Sequence, residues 1–184
     1  MKYLKFISLV VIALLIGINI SCERDDICPD GTPTTPNLII DFYDVNNQES
    51  KKNVFNLVLY GIDDEGNPVL PAIAVGSSTN TLSLPLKTYT NSTQFVLHKD
   101  YAVNNNGTPD NTSDDFIEGN SDLITINYSR EEVYVSRACG YKTIFKNVTL
   151  NIEDDTDNWI QARQPLTDNQ SVEDETTTHF NLYH

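Results

Sequence analysis

Oxygen donors gather most densely between Asn104 and Asp115, where Asn105, Asn106, Asp110, Asn111, Ser113 and Asp114 crowd one stretch, followed closely by Glu118 and Asp122. Such a loop could wrap a calcium ion, a hard cation that takes six to eight oxygen ligands. The spacing lacks the alternate-residue ligands and the closing bidentate glutamate of a helix-loop-helix calcium loop. A solvated loop is therefore the expectation, with Asp110, Asp114, Asp115 and Glu118 as the ligands if calcium is held there. A second acidic run, Glu153-Asp154-Asp155-Thr156-Asp157, precedes Trp159 and Ile160. Two carboxyls roughly 5 to 9 Å apart beside an aromatic could hydrolyse a glycoside, but nothing in this spacing fixes such a pair. An acidic turn with Trp159 packed in or near the core is the simpler reading. His98, His179 and His184 are the three imidazoles. No two stand at the spacing of a helical metal pair, and no serine sits in a Gly-x-Ser-x-Gly elbow. His98 is expected on the solvent side of a strand, and the other two read as tail residues. No catalytic or cofactor motif emerges, so neither an enzymatic activity nor a resident cofactor is expected.

The residue with the clearest chemistry is Cys22. Lys2 and Lys5 give a basic start, Phe6 to Ile18 is an apolar run short for a membrane span, and Asn19-Ile20-Ser21-Cys22 closes it. This layout resembles a lipoprotein signal: a small residue, Ser21, precedes the cysteine that would carry lipid, while Asn19 departs from the aliphatic residue usual at −3. Residues 1–21 would then be removed. Glu23-Arg24-Asp25-Asp26 is similar to the acidic export signature of Bacteroidota surface lipoproteins, which favours the cell surface over the periplasmic face of the outer membrane. An acidic linker that only spaces the domain from the headgroups is the alternative.

Loss of residues 1–21 removes two lysines and no acids, taking the formal charge from −14 to −16. A surface this acidic repels phosphate backbones and anionic membrane faces, which excludes nucleic acid as a partner class and leaves the lipid as the membrane contact. With Cys22 lipidated, Cys28 and Cys139 are the remaining cysteines, and in an oxidising compartment they are expected to form a disulfide. A metal site would need more ligands nearby and a reactive thiol a neighbouring base. The stretch from Cys22 to Cys28 would then be the whole tether, a reach of roughly 20 Å.

The elements that must carry these residues are strands. Residues 22–36 form an acidic and proline-rich tether, and an ordered domain is expected over 37–184. Its apolar residues alternate with period two: Leu38/Ile40/Phe42, Phe55/Leu57/Leu59, Leu82/Leu84/Leu86, Phe95/Leu97, Ile124/Ile126/Tyr128, Val133/Val135 and Val148/Leu150/Ile152. Asparagine, aspartate and glycine clusters between them are turn chemistry. Seven to nine short strands and no amphipathic helix predict an all-β antiparallel sandwich of immunoglobulin or transthyretin-like kind, with a small barrel as the alternative. Stretches at about 104–122 and 163–178 are expected to be poorly ordered. A closing edge strand is expected at Phe180 and Leu182.

Two blocks carry a further resemblance: Cys28-Pro29-Asp30-Gly31-Thr32-Pro33-Thr34-Thr35-Pro36-Asn37 and Arg130-Glu131-Glu132-Val133-Tyr134-Val135-Ser136-Arg137-Ala138-Cys139-Gly140-Tyr141-Lys142. They resemble signature blocks of an uncharacterised family of Bacteroidota outer-membrane lipoproteins. The resemblance implies location rather than mechanism, and it implies a neighbouring outer-membrane barrel as a candidate partner. The charges of Arg130, Glu131, Glu132 and Arg137 would serve either cross-strand pairing or recognition of such a partner. Glycan binding is the alternative function, and it would need exposed aromatics among Tyr89, Tyr101 and Trp159; an enzyme is the least expected.

Overall fold

A computed structural model describes residues 27–166 and 170–184. Cys22, the signal segment and the acidic run at 23–26 lie outside the described residues. The described residues divide into two compact units, one formed of residues 27–32 with Tyr134–Tyr141, the other of Pro33–Val133 with Lys142–His184.

The larger unit holds a two-sheet all-β sandwich, as the period-two pattern predicts. Its first sheet runs β2 (Asn47–Lys51), β1 (Leu38–Asp44), β10 (Phe180–Tyr183), β9 (Ala162–Pro165), with β5 (Thr81–Leu84) also paired to β1. The second runs β4 (Ala74–Thr79), β3 (Val54–Ile62), β6 (Ser92–Asn104), β7 (Phe116–Ser136), β8 (Gly140–Ile152). Among the described residues there is no α-helix, only a 3-10 turn at Thr112–Asp114. The pairings are antiparallel except between β1 and β10, which run parallel with Ile40 opposite Phe180 and Phe42 opposite Leu182. Inward side chains of both sheets meet in one apolar cluster. Leu38, Ile40, Phe42, Leu84 and Leu182 from the first face Leu57, Leu59, Phe95, Leu97, Ile124, Ile126 and Leu150 from the second. Apolar burial of this kind supplies the main driving force for folding.

Several elements differ from the sequence expectation for local physical reasons. Asn56 sits at φ 45° and the β3–β4 register shifts around it, so parity reverses: Val54 is buried and Phe55 is exposed. Val133 and Val135 are half-buried rather than in the core, because the far part of β7 runs past the last core residue, Tyr128. Phe116–Asp122, expected within a disordered loop, pairs with β6 as the first part of β7. Ala162–Pro165 is likewise strand, and Val172 bridges Phe145. The C-terminal strand is interior, held between β1 and β9, not at the edge.

A bulge makes the β6–β7 pairing possible. Lys99 opposes Asn120 and Ala102 opposes Glu118, so Asp100 and Tyr101 together oppose Gly119. Asp100 takes φ 55° and Gly119 φ 105°. A Cβ on Gly119 would stand 2.4 Å from the Lys99 carbonyl oxygen and 2.8 Å from that of Asp100, both rigid backbone atoms. Gly119→Ala is expected to destabilise the fold by about 2–3 kcal/mol, the sum of left-handed strain and backbone collision. Urea denaturation checks this; an unchanged midpoint would contradict the bulge geometry.

Candidate functional site

The acidic residues do not converge. Asp114 accepts hydrogen bonds from the Thr108 hydroxyl at 2.9 Å and from the Asn106 amide at 3.3 Å. Glu118 accepts from the Asn104 amide at 2.5 Å. Asp110 is exposed, and Asp115 keeps one carboxylate oxygen buried without a partner. Among the described residues no three of His, Cys, Asp or Glu come together as ligands for one metal ion.

The run at 153–157 is a turn whose side chains point to solvent. Asp154 and Asp155 fold back on the amides of Thr156 and Asp157, and Asn158 ties the turn to the Glu153 carbonyl at 2.8 Å. The turn is fixed to β7 by four hydrogen bonds. Glu153 N–H donates to the Leu123 carbonyl at 2.9 Å, the Asn120 amide to the Asp157 carbonyl at 2.6 Å, and the Trp159 and Ile160 amides to Asp122 at 3.2 and 2.8 Å. Trp159 is buried, with its indole N–H on the Leu97 carbonyl at 3.2 Å. Asp122 is fully buried, and burial pushes its carboxyl above the usual range, against the two backbone donors that favour the ionised form. The sequence held a sign of this residue. Asp122 stands in phase with Ile124, Ile126 and Tyr128, so a strand that buries those must bury it too.

The C-terminal histidines are structural residues of the sandwich rather than tail residues. Ile39 N–H donates to His179 Nδ1 at 2.9 Å, while His179 N–H donates to the Ile39 carbonyl at 2.9 Å. The imidazole thereby substitutes for a backbone acceptor and must be neutral, with its proton on Nε2. His184 packs edge-on to Phe42 and Trp159, with ring centroids 5.8 and 5.4 Å away. Burial is the main cause holding both histidines below the ordinary imidazole range. A depressed histidine pKa means that the unfolded chain binds the proton more readily. The stabilisation is therefore complete above about pH 6.5 and is lost as pH falls through the folded-state values. Unfolding free energy measured from pH 7.5 to 5 should decline, and His179→Gln, which retains an acceptor, should flatten the decline. An equal slope in wild type and variant would remove His179 from this role. His98 lies half-exposed on the outer face of β6, beside Tyr101, with Nε2 3.0 Å from the Glu118 carbonyl.

Asp41 and Arg130 are engaged as well. Burial raises the Asp41 carboxyl, but Lys51 at 2.8 Å and the hydroxyls of Thr81 at 2.5 Å and Thr178 at 2.8 Å together bring it below its ordinary value. Arg130 donates to Asn91 at 2.8 Å and to the Thr88 carbonyl at 2.5 Å, so it braces the turn before β6. Both acceptors are neutral oxygens of that turn rather than cross-strand carboxylates.

What the fold does gather is an apolar groove of about 250 Å³ that period-two reading cannot see. Gly61, Ile62 and Phe95 form its floor from β3 and β6, and Val69, Pro71, Ile73 and Tyr89 come from the loops above. Lys87 stands at its rim, paired to Asp64 at 2.6 Å, and its backbone is held by Thr93 at 2.9 Å and Tyr128 at 2.8 Å. Tyr89 is exposed there, whereas Tyr101 leans on His98 and Trp159 is in the core.

In the smaller unit, Cys28 and Cys139 form a disulfide with Cα atoms 4.8 Å apart. Tyr134 and Tyr141 flank the same turn with ring centroids 5.4 Å apart and edge-to-face.

Fold and side chains together define an all-β sandwich protein stapled by one disulfide. The chain belongs to a family of unknown function, DUF6452, whose model matches residues 56–184. Of the two resembling blocks, the one at 130–142 falls inside this range and the one at 28–37 precedes it. No curated protein and no solved structure matches the chain.

Proposed function

We propose that this chain is a Bacteroidota lipoprotein, anchored through Cys22 in the outer membrane with the cell surface favoured over the periplasmic face. In this reading it is a non-enzymatic binding or accessory protein for a membrane neighbour. The observation that carries it is the placement of the staple: Cys28 follows the lipid-bearing position by six residues and is bonded to Cys139, so anchor and folded chain are joined by a very short tether. A glycan-binding role is the second reading, favoured by exposed Tyr89 at the rim of the apolar groove.

Crosslinked affinity capture from native membranes tests the accessory reading, with Cys22→Ala as control. Cys22→Ala is expected to yield a folded protein in the soluble fraction. A membrane-bound Cys22→Ala protein would contradict the anchor. A reproducible outer-membrane barrel in the wild-type capture would identify the neighbour, and glycan arrays would take up the second reading if none appeared.

A further inference from the structure

We propose that the disulfide-stapled unit is a lipid-facing contact, with Tyr134, Tyr141 and Ile27 resting in the headgroup boundary of the membrane that holds the Cys22 anchor. This rests on the lipoprotein reading and adds to it which surface meets the bilayer.

Hairpin turns on soluble sandwiches are ordinarily polar, and here the turn between β7 and β8 is flanked by two tyrosines that are 58% and 66% exposed. Ile27, next to the disulfide, is 80% exposed. Tyrosine suits the boundary between water and hydrocarbon, because its ring is apolar and its hydroxyl remains hydrated. The tyrosine pair is already stacked edge-to-face, so little side-chain freedom remains to be lost on contact.

Two observations choose lipid as the occupant. The first is chain length. Residues 22–28 span roughly 20 Å even when extended, so Cys28 cannot travel far from the headgroups. The disulfide then brings Cys139, and the turn that Tyr134 and Tyr141 flank, to the same place. The second is charge. Residues 27–32 and 134–141 contain one acid, Asp30, and one cation, Arg137, in a chain whose formal net charge is −14. The tip carries no net charge, so it is spared the repulsion that an acidic face meets at anionic headgroups, and the tether keeps it within reach of them.

The test is hydrogen exchange on the lipidated full chain in vesicles of phosphatidylethanolamine and phosphatidylglycerol, compared with Cys22→Ala protein in solution. Amides in 134–141 should exchange roughly tenfold more slowly on vesicles, while those in the 105–115 loop exchange alike in both. The doubly substituted Tyr134→Ser, Tyr141→Ser protein should stay on the vesicles through its lipid and lose the added protection; both side chains are exposed, so its fold is retained. Equal exchange of 134–141 in vesicle-bound and soluble protein overturns the lipid contact while leaving the anchor standing. Protection in native membranes but not in lipid-only vesicles assigns the tip to a protein partner and overturns the proposal too. Native protein whose Cys22 carries no acyl chain, read by mass spectrometry, overturns the anchor and this inference with it.

Discussion

Replacing Cys28 and Cys139 together with serine is expected to lower the unfolding free energy by about 4–5 kcal/mol, the entropy that a cross-link of this span removes from the unfolded chain. The two cysteines are separated by 111 residues, so the closed loop contains β1 through β7, while β8 of the second sheet and β9 and β10 of the first lie beyond it. The native contacts on either side of the staple give the constraint something to act on. Thr35 accepts from Thr143 N–H at 3.0 Å, and the Asn37 amide donates to Glu175 at 2.7 Å, so the segment after Cys28 is hydrogen-bonded to β8 and to the C-terminal stretch. Denaturant titration with and without reductant, and of the double serine variant, measures the effect. A loss below about 1 kcal/mol would mean that the arm carrying Cys28 detaches before the sandwich unfolds, so that the cross-link constrains a local opening rather than the global one.

Period-two alternation revealed the sandwich because each inward strand face is one uninterrupted set: Leu38, Ile40 and Phe42, or Ile124, Ile126 and Tyr128, are buried together. It failed where backbone irregularity reverses parity. Nothing in the string Val54-Phe55-Asn56-Leu57 states that Asn56 will take a positive φ, and so the buried residue is Val54, not Phe55. It failed again where long-range pairing decides order. Phe116–Asp122 is polar enough to read as loop, yet β6 supplies its pairing partners from twelve to twenty-five residues upstream, a register that no local pattern states. The cysteine pair was legible by counting, since three cysteines with one set aside for lipid leave a single combination. The apolar groove was not. Its floor lies on β3 and β6 and its walls on two separate loops, a juxtaposition that depends on topology.

Asp122→Ala is expected to destabilise the fold by about 3–5 kcal/mol, because it strands two buried backbone donors at once and opens a small void. The carboxylate accepts from both the Trp159 and Ile160 amides, and without it the connection from β8 toward β9 is left with the Glu153–Leu123 and Asn120–Asp157 bonds to β7. Trp159 is the neighbour most affected, since its position sets the aromatic packing with Phe42 and His184. Asp122→Asn separates geometry from charge. Its amide oxygen can still accept from one backbone N–H, so the loss should be smaller, about 1–2 kcal/mol. The pH dependence then identifies the group. A carboxyl whose folded-state pKa is raised binds its proton more tightly when folded, so Asp122 by itself makes the protein more stable as pH falls from the raised value toward 3.8. At neutral pH the same burial weakens the fold. The asparagine variant lacks this contribution, and the gap between wild type and Asp122→Asn should change steadily in favour of wild type through that acid window. A constant gap would show that Asp122 keeps one charge state across it, in which case the two backbone donors would outweigh burial in setting its ionisation.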